Sequence, residues 1–207
     1  MSQAPPTLLG LVLAGGESRR MGRDKGLLSY RGAPHRELLH ALLQRACARV
    51  FISVNPEQPR PEPERFGYLV DRAEYAGNGP IGAVLGFCVA HPGQALLLLS
   101  CDLPYFDETA LDALVAARDP SRPATAFLNP ENRKPEPLVT IYEPPFLARL
   151  PGLFQSGTRS LQRALLVDPP ALITTFDPRW ILSADSAEDY ERARRALSPD
   201  DAHDPAA

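Results

Sequence analysis

The chain has 207 residues, of which 44% are hydrophobic and 23% charged, with a formal charge of −3 and 23 prolines. A chain of that size buries most of its apolar surface in one domain, and its apolar fraction excludes a disordered polymer. The charge balance excludes a uniformly basic nucleic-acid binder, and the longest apolar run, Ala95–Leu99, is too short to cross a bilayer, so neither nucleic acid nor membrane is expected as a partner.

In chain order, MSQAPP lacks the basic flank of a signal peptide. Leu8–Leu13 (LLGLVL) then reads as a fully apolar strand that runs at once into a glycine-containing polar loop. Leu38, Leu39, Leu42, Leu43 and Ala46 fall at helical spacing and predict a helix over Arg36–Ala48. Val50–Val54 is a second strand rich in β-branched residues, and the proline-studded stretch Asn55–Glu64 leads to a short third strand near Tyr68–Val70. Gly77, Gly79 and Pro80 open a helix over Ile81–Ala90, with Pro80 suited to its first turn. Ala95–Ser100 has the pattern of a deeply buried strand. Beyond Ala117 the pattern gives strands near Thr125–Leu128, Leu138–Tyr142 and Ile173–Phe176, and helices near Pro145–Leu150, Ser160–Leu166 and Ala187–Leu197. Ser186–Asp189 resembles a capping box with Asp in place of Glu, and residues 198–207 read as a disordered tail. Solidly apolar strands separated by amphipathic helices indicate a parallel sheet covered on both faces, a three-layer α/β architecture of the doubly wound, Rossmann-like kind.

In such a sheet ligands bind beyond the carboxyl ends of the strands. The segment in that place after the first strand is Ala14–Lys25, AGGESRRMGRDK. Gly15 and Gly16 let backbone N–H groups approach an anion, and Arg19, Arg20, Arg23 and Lys25 supply the cations a polyphosphate requires. The competing reading is a solvated basic turn. No Walker A pattern occurs. Asp102, in SCDLP, sits just past the Ala95–Ser100 strand and faces the same crevice. A carboxylate opposite a polyphosphate needs an intervening cation, and Mg²⁺ is the usual one; the alternative is that Asp102 caps backbone donors near Pro104.

These residues carry a resemblance. Leu13–Leu28 (LAGGESRRMGRDKGLL) is similar to the signature L-A-G-G-x-x-x-R-M-G-x-D-K of the molybdenum cofactor guanylyltransferases, the MobA family, within the nucleotidyltransferase fold. The similarity continues through Val54–Gln58, Asp71 with Gly79-Pro80-Ile81-Gly82, Ser100–Pro104, Pro135–Leu138, Gly157–Leu161 and a degenerate Ile181–Asp189. The resemblance implies transfer of GMP from GTP to the phosphate of molybdopterin, with release of pyrophosphate and with Mg²⁺ as cofactor. It implies that Leu13, Ala14, Gly15 and Gly16 cradle the nucleotide, that Arg19 and Lys25 hold its phosphates, that Asn55 and Asp71 line the guanosine, and that Asp102 holds the metal. Glu136, Arg159 and Asp185 fall on the acceptor side. It divides one domain, 1–197, into a nucleotide half (about 7–117) and an acceptor half (about 118–197). Where the family has N-x-N-T, this chain has Ser183-Ala184-Asp185-Ser186, which leaves Asp185 either as a second Mg²⁺ ligand facing Asp102 or as a helix cap. Other readings are a transferase using CTP or a sugar phosphate, and a nucleotide-binding protein without turnover.

Gly77–Gly82 matches G-x-G-x-x-G but does not directly follow a strand, so it is not read as a dinucleotide fingerprint. His35, His40, His91 and His203 lack zinc spacing, and no nucleophile–histidine–acid set stands out. Cys101 is expected to point into the sheet as a buried thiol, and Trp180 to belong to the core. Cys47, Cys88 and Cys101 contain no C-x-x-C and suit reduced thiols in cytoplasm. The absence of heptads gives no reason to expect more than a monomer, apart from transient contacts with cofactor-biosynthesis proteins implied by the resemblance.

Overall fold

The computed structural model describes residues 5–14, 28–30 and 32–197. Seven strands form its sheet: β1 (Leu8–Leu13), β2 (Arg49–Val54), β3 (Gly67–Val70), β4 (Ala95–Ser100), β5 (Ala124–Leu128), β6 (Pro135–Tyr142) and β7 (Ala171–Ile173), in the order β3-β2-β1-β4-β6-β5-β7. β1 and β4 are buried at every position, as strands covered on both faces must be. β1 pairs parallel with β2 and β4, which places Leu13 opposite both Ser53 and Ser100 and brings three strand ends to one edge.

Alternate residues of β1 feed opposite cores. Leu8 and Val12 pack with α1 (His35–Leu43) and α3 (Glu108–Ala116); Leu9, Leu11 and Leu13 pack with α2 (Pro80–Ala90), α4 (Pro144–Gln155) and α5 (Leu161–Val167). Gly10 lies where α1 comes closest, since a β-carbon there would stand 3.2 Å from Leu43 and 3.3 Å from Cys47 Sγ. A last helix, α6 (Ala187–Leu197), covers Leu28 and Tyr30 instead of the sheet.

β1 and β4 match their sequence patterns residue for residue, and the other differences have local causes. α1 stops at Leu43, where Gln44–Ala46 turn, instead of running to Ala48. α3 was not anticipated from the apolar pattern; its start is fixed by Asp107, whose carboxylate accepts from Ala110 N at 2.9 Å. α4 does not stop at Leu150 but passes through Pro151 to Gln155. β7 lies at Ala171–Ile173 instead of Ile173–Phe176, because Phe176 leaves the sheet to pack on Phe127 and Trp180, with ring centroids 4.7 and 6.3 Å away. Trp180 is half-buried against the core in that cluster. β6 runs antiparallel to both β4 and β5, so the sheet is mostly but not wholly parallel.

Cys47 and Cys101 are buried and Cys88 is partly so, none of them in a disulfide; burial pushes the Cys47 and Cys88 thiols up to about 12. Among the described residues no helix is long and apolar enough to cross a membrane. The expected tail at 198–207 lies outside the described residues.

Candidate active site

The shared strand edge is locked by backbone hydrogen bonds just beyond the strands. Ala14 N donates to Ser53 O at 3.1 Å, Cys101 N to Leu13 O at 3.1 Å, and Asp71 N to Val54 O at 2.9 Å. Two cavities open along this edge. The larger, about 730 Å³, is lined by Leu13, Ala14, Ser53, Asn55, Asp71 and the Gly77–Pro80 turn. The smaller, about 430 Å³, is lined by Asn129, Glu136, Arg179, Ser183 and Asp185. Asp102 and Leu138 border both, so Asp102 stands at the junction.

In the larger cavity, Asn55 begins the connection after β2. Its Oδ1 accepts from Glu57 N and Gln58 N, both at 3.0 Å, while Asn55 N donates to Gln58 Oε1 at 2.9 Å. Gln58 Nε2 in turn donates to Ala14 O at 3.0 Å, which fixes the first residue of the glycine–arginine loop. Asp71, after β3, accepts from Ser53 Oγ at 3.3 Å; burial holds its carboxyl above the usual range, opposed by that hydrogen bond. Gly77 and Gly79 have φ of +74° and +63°, which explains glycine at both. Gly82 is required for a different reason: a β-carbon there would lie 2.5 Å from Tyr75 O. The G-x-G-x-x-G match is therefore a cavity-wall turn followed by a close helix contact.

In the smaller cavity, Glu136 starts β6 beside the end of β4. Burial raises its pKa; hydrogen bonds from Leu138 N and Asn129 Nδ2 oppose the shift, and the nearby Asp102 charge adds to it. Ser183 Oγ donates to Asp185 Oδ2 at 2.8 Å, and Ala184 N donates to Asp102 O at 2.8 Å, so this wall is tied directly to the junction. The alternative of Asp185 as a cap is corrected by the structure. Ser186 caps α6: Asp189 N donates to Ser186 Oγ at 3.1 Å and Ser186 N to Asp189 Oδ2 at 3.0 Å, a reciprocal box with Asp in place of Glu.

Leu13, Ala14, Asn55, Asp71 and Asp102 thus meet around one cavity, and Glu136 and Asp185 meet Asp102 around the other. Arg159 lines neither: its guanidinium donates to Phe154 O and lies 4.0 Å over the Phe154 ring, closing the end of α4 instead of facing an acceptor. Gly15, Gly16, Arg19 and Lys25 lie outside the described residues. Ser53, Gln58 and Asn129 were not singled out from the sequence; the reciprocal N-x-x-Q pattern at Asn55–Gln58 was the legible sign of one of them.

Among the described residues no three His, Cys, Asp or Glu side chains converge to hold an ion alone. Asp102, Glu136 and Asp185 nevertheless offer hard carboxylate oxygens along one cavity, without converging as a group. Such oxygens suit a cation like Mg²⁺, which binds through one or two carboxylates and takes its other ligands from phosphate and water.

Residues 10–169 match the family model of the MobA-like NTP transferase domain. The chain is 36% identical over 191 residues to a molybdenum cofactor biosynthesis bifunctional protein of Synechocystis sp.; the match covers 92% of this chain but only 54% of that protein. It is 34% identical over 184 residues to a molybdenum cofactor guanylyltransferase of Pseudomonas syringae pv. syringae, covering 84% of this chain and 87% of the relative. In fold it is similar to molybdopterin-guanine dinucleotide biosynthesis protein A of Archaeoglobus fulgidus, with a TM-score of 0.70 at 17% identity over 91% of this chain and 97% of that one. The same fold appears in 2-C-methyl-D-erythritol 4-phosphate cytidylyltransferase of Thermus thermophilus, with a TM-score of 0.66 at 16% identity over 93% of this chain and 98% of that one.

Proposed function

The chain belongs to the MobA-like NTP transferase family, and from that premise we propose that it transfers GMP from GTP to the terminal phosphate of molybdopterin, releasing pyrophosphate. The observation that carries the reading is the pair of cavities meeting at Asp102, one for a nucleotide and one for an acceptor, with the transferred group between them. Relatives named as guanylyltransferases favour GTP over CTP and a phosphorylated pterin over a sugar phosphate. They also favour turnover over mere nucleotide binding.

In this reading the nucleoside lies in the larger cavity. Leu13 and Ala14 wall it where β1 ends, and Asn55 and Asp71 border the guanosine. Gly15 and Gly16 complete the cradle, and Arg19 and Lys25 neutralise the phosphates. The acceptor lies in the smaller cavity beside Glu136 and Asp185. An acceptor phosphate oxygen attacks the α-phosphorus in line; a new P–O–P bond forms while the α–β bridging bond breaks, and its electron pair leaves with pyrophosphate. Positioning and fixed charge do most of the work in such a transfer. Asp102 would hold Mg²⁺, with Asp185 as the second carboxylate across the junction, and the bound metal would supply positive charge to the phosphate oxygens. Asp102 marks the seam between the nucleotide half, about 7–117, and the acceptor half, about 118–197. The reading also takes the cytoplasm as the compartment and a monomer as the working unit.

The test is turnover of α-labelled GTP, CTP, ATP and UTP with Mg²⁺ and molybdopterin, with Asp102→Ala alongside. A GMP–pterin product from GTP alone, lost in the variant, is the expected result. Product from CTP instead would overturn the base assignment, and product from a sugar phosphate but not from the pterin would overturn the acceptor.

A further inference from the structure

The smaller cavity is bordered by four carboxylates, Asp102, Glu131, Glu136 and Asp185, and by one cation, Arg179. Among the described residues no other lysine, arginine or histidine borders either cavity. That imbalance bears on the acceptor. A phosphate monoester carries about two negative charges near neutral pH, and a wall of carboxylates alone would repel it.

Arg179 is placed to offset that repulsion. It lies on a single 3₁₀ turn, Pro178–Ile181, that follows β7. The next two residues fasten the turn to the core: Ile181 is buried, and the Trp180 ring centroid lies 6.0 Å from that of Phe127 and 6.3 Å from that of Phe176. Asp177 caps the turn by accepting from Arg179 N at 2.9 Å. The same carboxylate holds the side chain, accepting from Arg179 Nε at 3.0 Å and from Nη2 at 2.6 Å. These bonds occupy one edge of the guanidinium fork. The other terminal nitrogen, Nη1, has no hydrogen-bond partner among the described residues, and the side chain is 70% exposed. The guanidinium is thus aimed before any ligand arrives, with donors left for a second anion.

We propose that Arg179 binds the phosphate of the acceptor in the smaller cavity, with Asp177 as its positioning residue. The inference rests on the nucleotidyl-transfer reading above. A fork already held on one edge loses little side-chain freedom when the other edge meets a phosphate, so more of the charge-assisted bond appears as affinity. Because Arg179 borders the smaller cavity and not the larger, its contribution falls on the acceptor and not on GTP.

Binding can be read without turnover from the fluorescence of Trp180, the single tryptophan of the chain and the neighbour of Arg179. In the full chain, titration with molybdopterin kept free of oxygen is expected to give Arg179→Gln a Kd about ten-fold above wild type, the low end for a hydrogen bond to a charged group because the guanidinium is exposed. Arg179→Lys, which keeps the charge but not the fork, should recover part of that loss. Wild type and Arg179→Gln should bind dephosphorylated molybdopterin alike. In turnover the KM for molybdopterin should rise with the Kd, while the KM for GTP stays within about two-fold. The pair with Asp177 is exposed, so the thermal midpoint should stay within a few degrees of wild type. A purely structural role would lower the midpoint and raise both KM values together. That result, a Kd equal to wild type, or an equal loss with the dephosphorylated pterin overturns the inference. If wild type binds molybdopterin in an Arg179-dependent way but forms no GMP product, the transfer reading fails and the role of Arg179 stands. Normal transfer with an unchanged acceptor KM in Arg179→Gln does the reverse.

Discussion

Gly82 and Gly86 lie one turn apart on α2 and both are buried, yet they should respond oppositely to the same substitution. At Gly82 an added β-carbon would stand 2.5 Å from Tyr75 O, about 1 Å inside an ordinary carbon–oxygen contact. The obstacle is backbone, and that carbonyl also accepts from Asn78 N at 3.3 Å and Asn78 Nδ2 at 3.1 Å, so it cannot move without disturbing the turn at Gly77 and Gly79. At Gly86 the β-carbon would meet only the Arg72 side chain, at 3.8 Å. Replacing glycine by alanine inside a helix contributes about 1 kcal/mol, while forcing an extra methyl into a packed contact costs about 1–3 kcal/mol. Gly86→Ala is therefore expected to gain up to about 1 kcal/mol, and Gly82→Ala to lose up to about 2 kcal/mol net. For a chain of this size that separates their thermal midpoints by several degrees, about 2–4 °C per kcal/mol. Urea unfolding of both variants, followed by circular dichroism, reads the difference directly. Because the Tyr75–Gly79 turn walls the larger cavity, Gly82→Ala should also weaken GTP binding, whereas Gly86→Ala should not. Equal stability of the two variants would refute the reasoning.

Two further expectations concern buried charge. Glu143 is fully buried and pairs bidentately with Arg118 at 2.7 and 3.0 Å, and Arg118 also donates to Pro6 O at 3.0 Å. Glu143→Ala leaves that guanidinium without its carboxylate and should cost about 3–5 kcal/mol in chemical denaturation; a loss below about 1 kcal/mol would show that the pair is dispensable. Asp71 has its carboxyl raised above the ordinary value of 3.8 by burial, so across the window above that value the folded chain keeps a proton the unfolded chain has released. Its contribution to stability therefore falls as pH rises through the window. Asp71→Asn should unfold at higher urea than wild type at pH 7, with the difference shrinking toward pH 4, and should bind GTP more weakly. Parallel midpoint-versus-pH curves would count against this.

The nucleotide side of the site was legible because its elements announce themselves locally. LLGLVL and ALLLLS are unbroken apolar runs, so both strand ends, and Asp102 beyond the second, followed from pattern alone. The acceptor side was read less well for physical reasons. Strand direction leaves no trace in composition, so the reversal of β6 was invisible. Phe176 has the look of a strand residue, but a better contact with Phe127 draws it away from the sheet. Pro151 looks like a stop, yet Leu153 and Phe154 beyond it pack against the α2–α4–α5 core and the helix continues. Arg159 carries the family motif but is taken up by its own neighbour Phe154. The hydrogen bond from Tyr190 Oη to Ser29 O spans nearly the whole chain, and no local pattern encodes such a contact.

The reversal of β6 has a consequence for how such a protein can change. Because β6 is antiparallel to β5, the two are joined by a tight hairpin whose tip, residues 129–134, reaches the ligand edge. That tip is closed by its own groups: Asn129 N donates to Lys134 O and Arg133 N to Asn129 O, both at 2.9 Å, while Asn129 Oδ1 accepts from Glu131 N at 3.0 Å. Asn129, Pro130 and Glu131 border only the smaller cavity. The hairpin thus behaves as a cassette. Lengthening, shortening or exchanging it redraws one wall of the smaller cavity, while the parallel strands that border the larger one stay as they are.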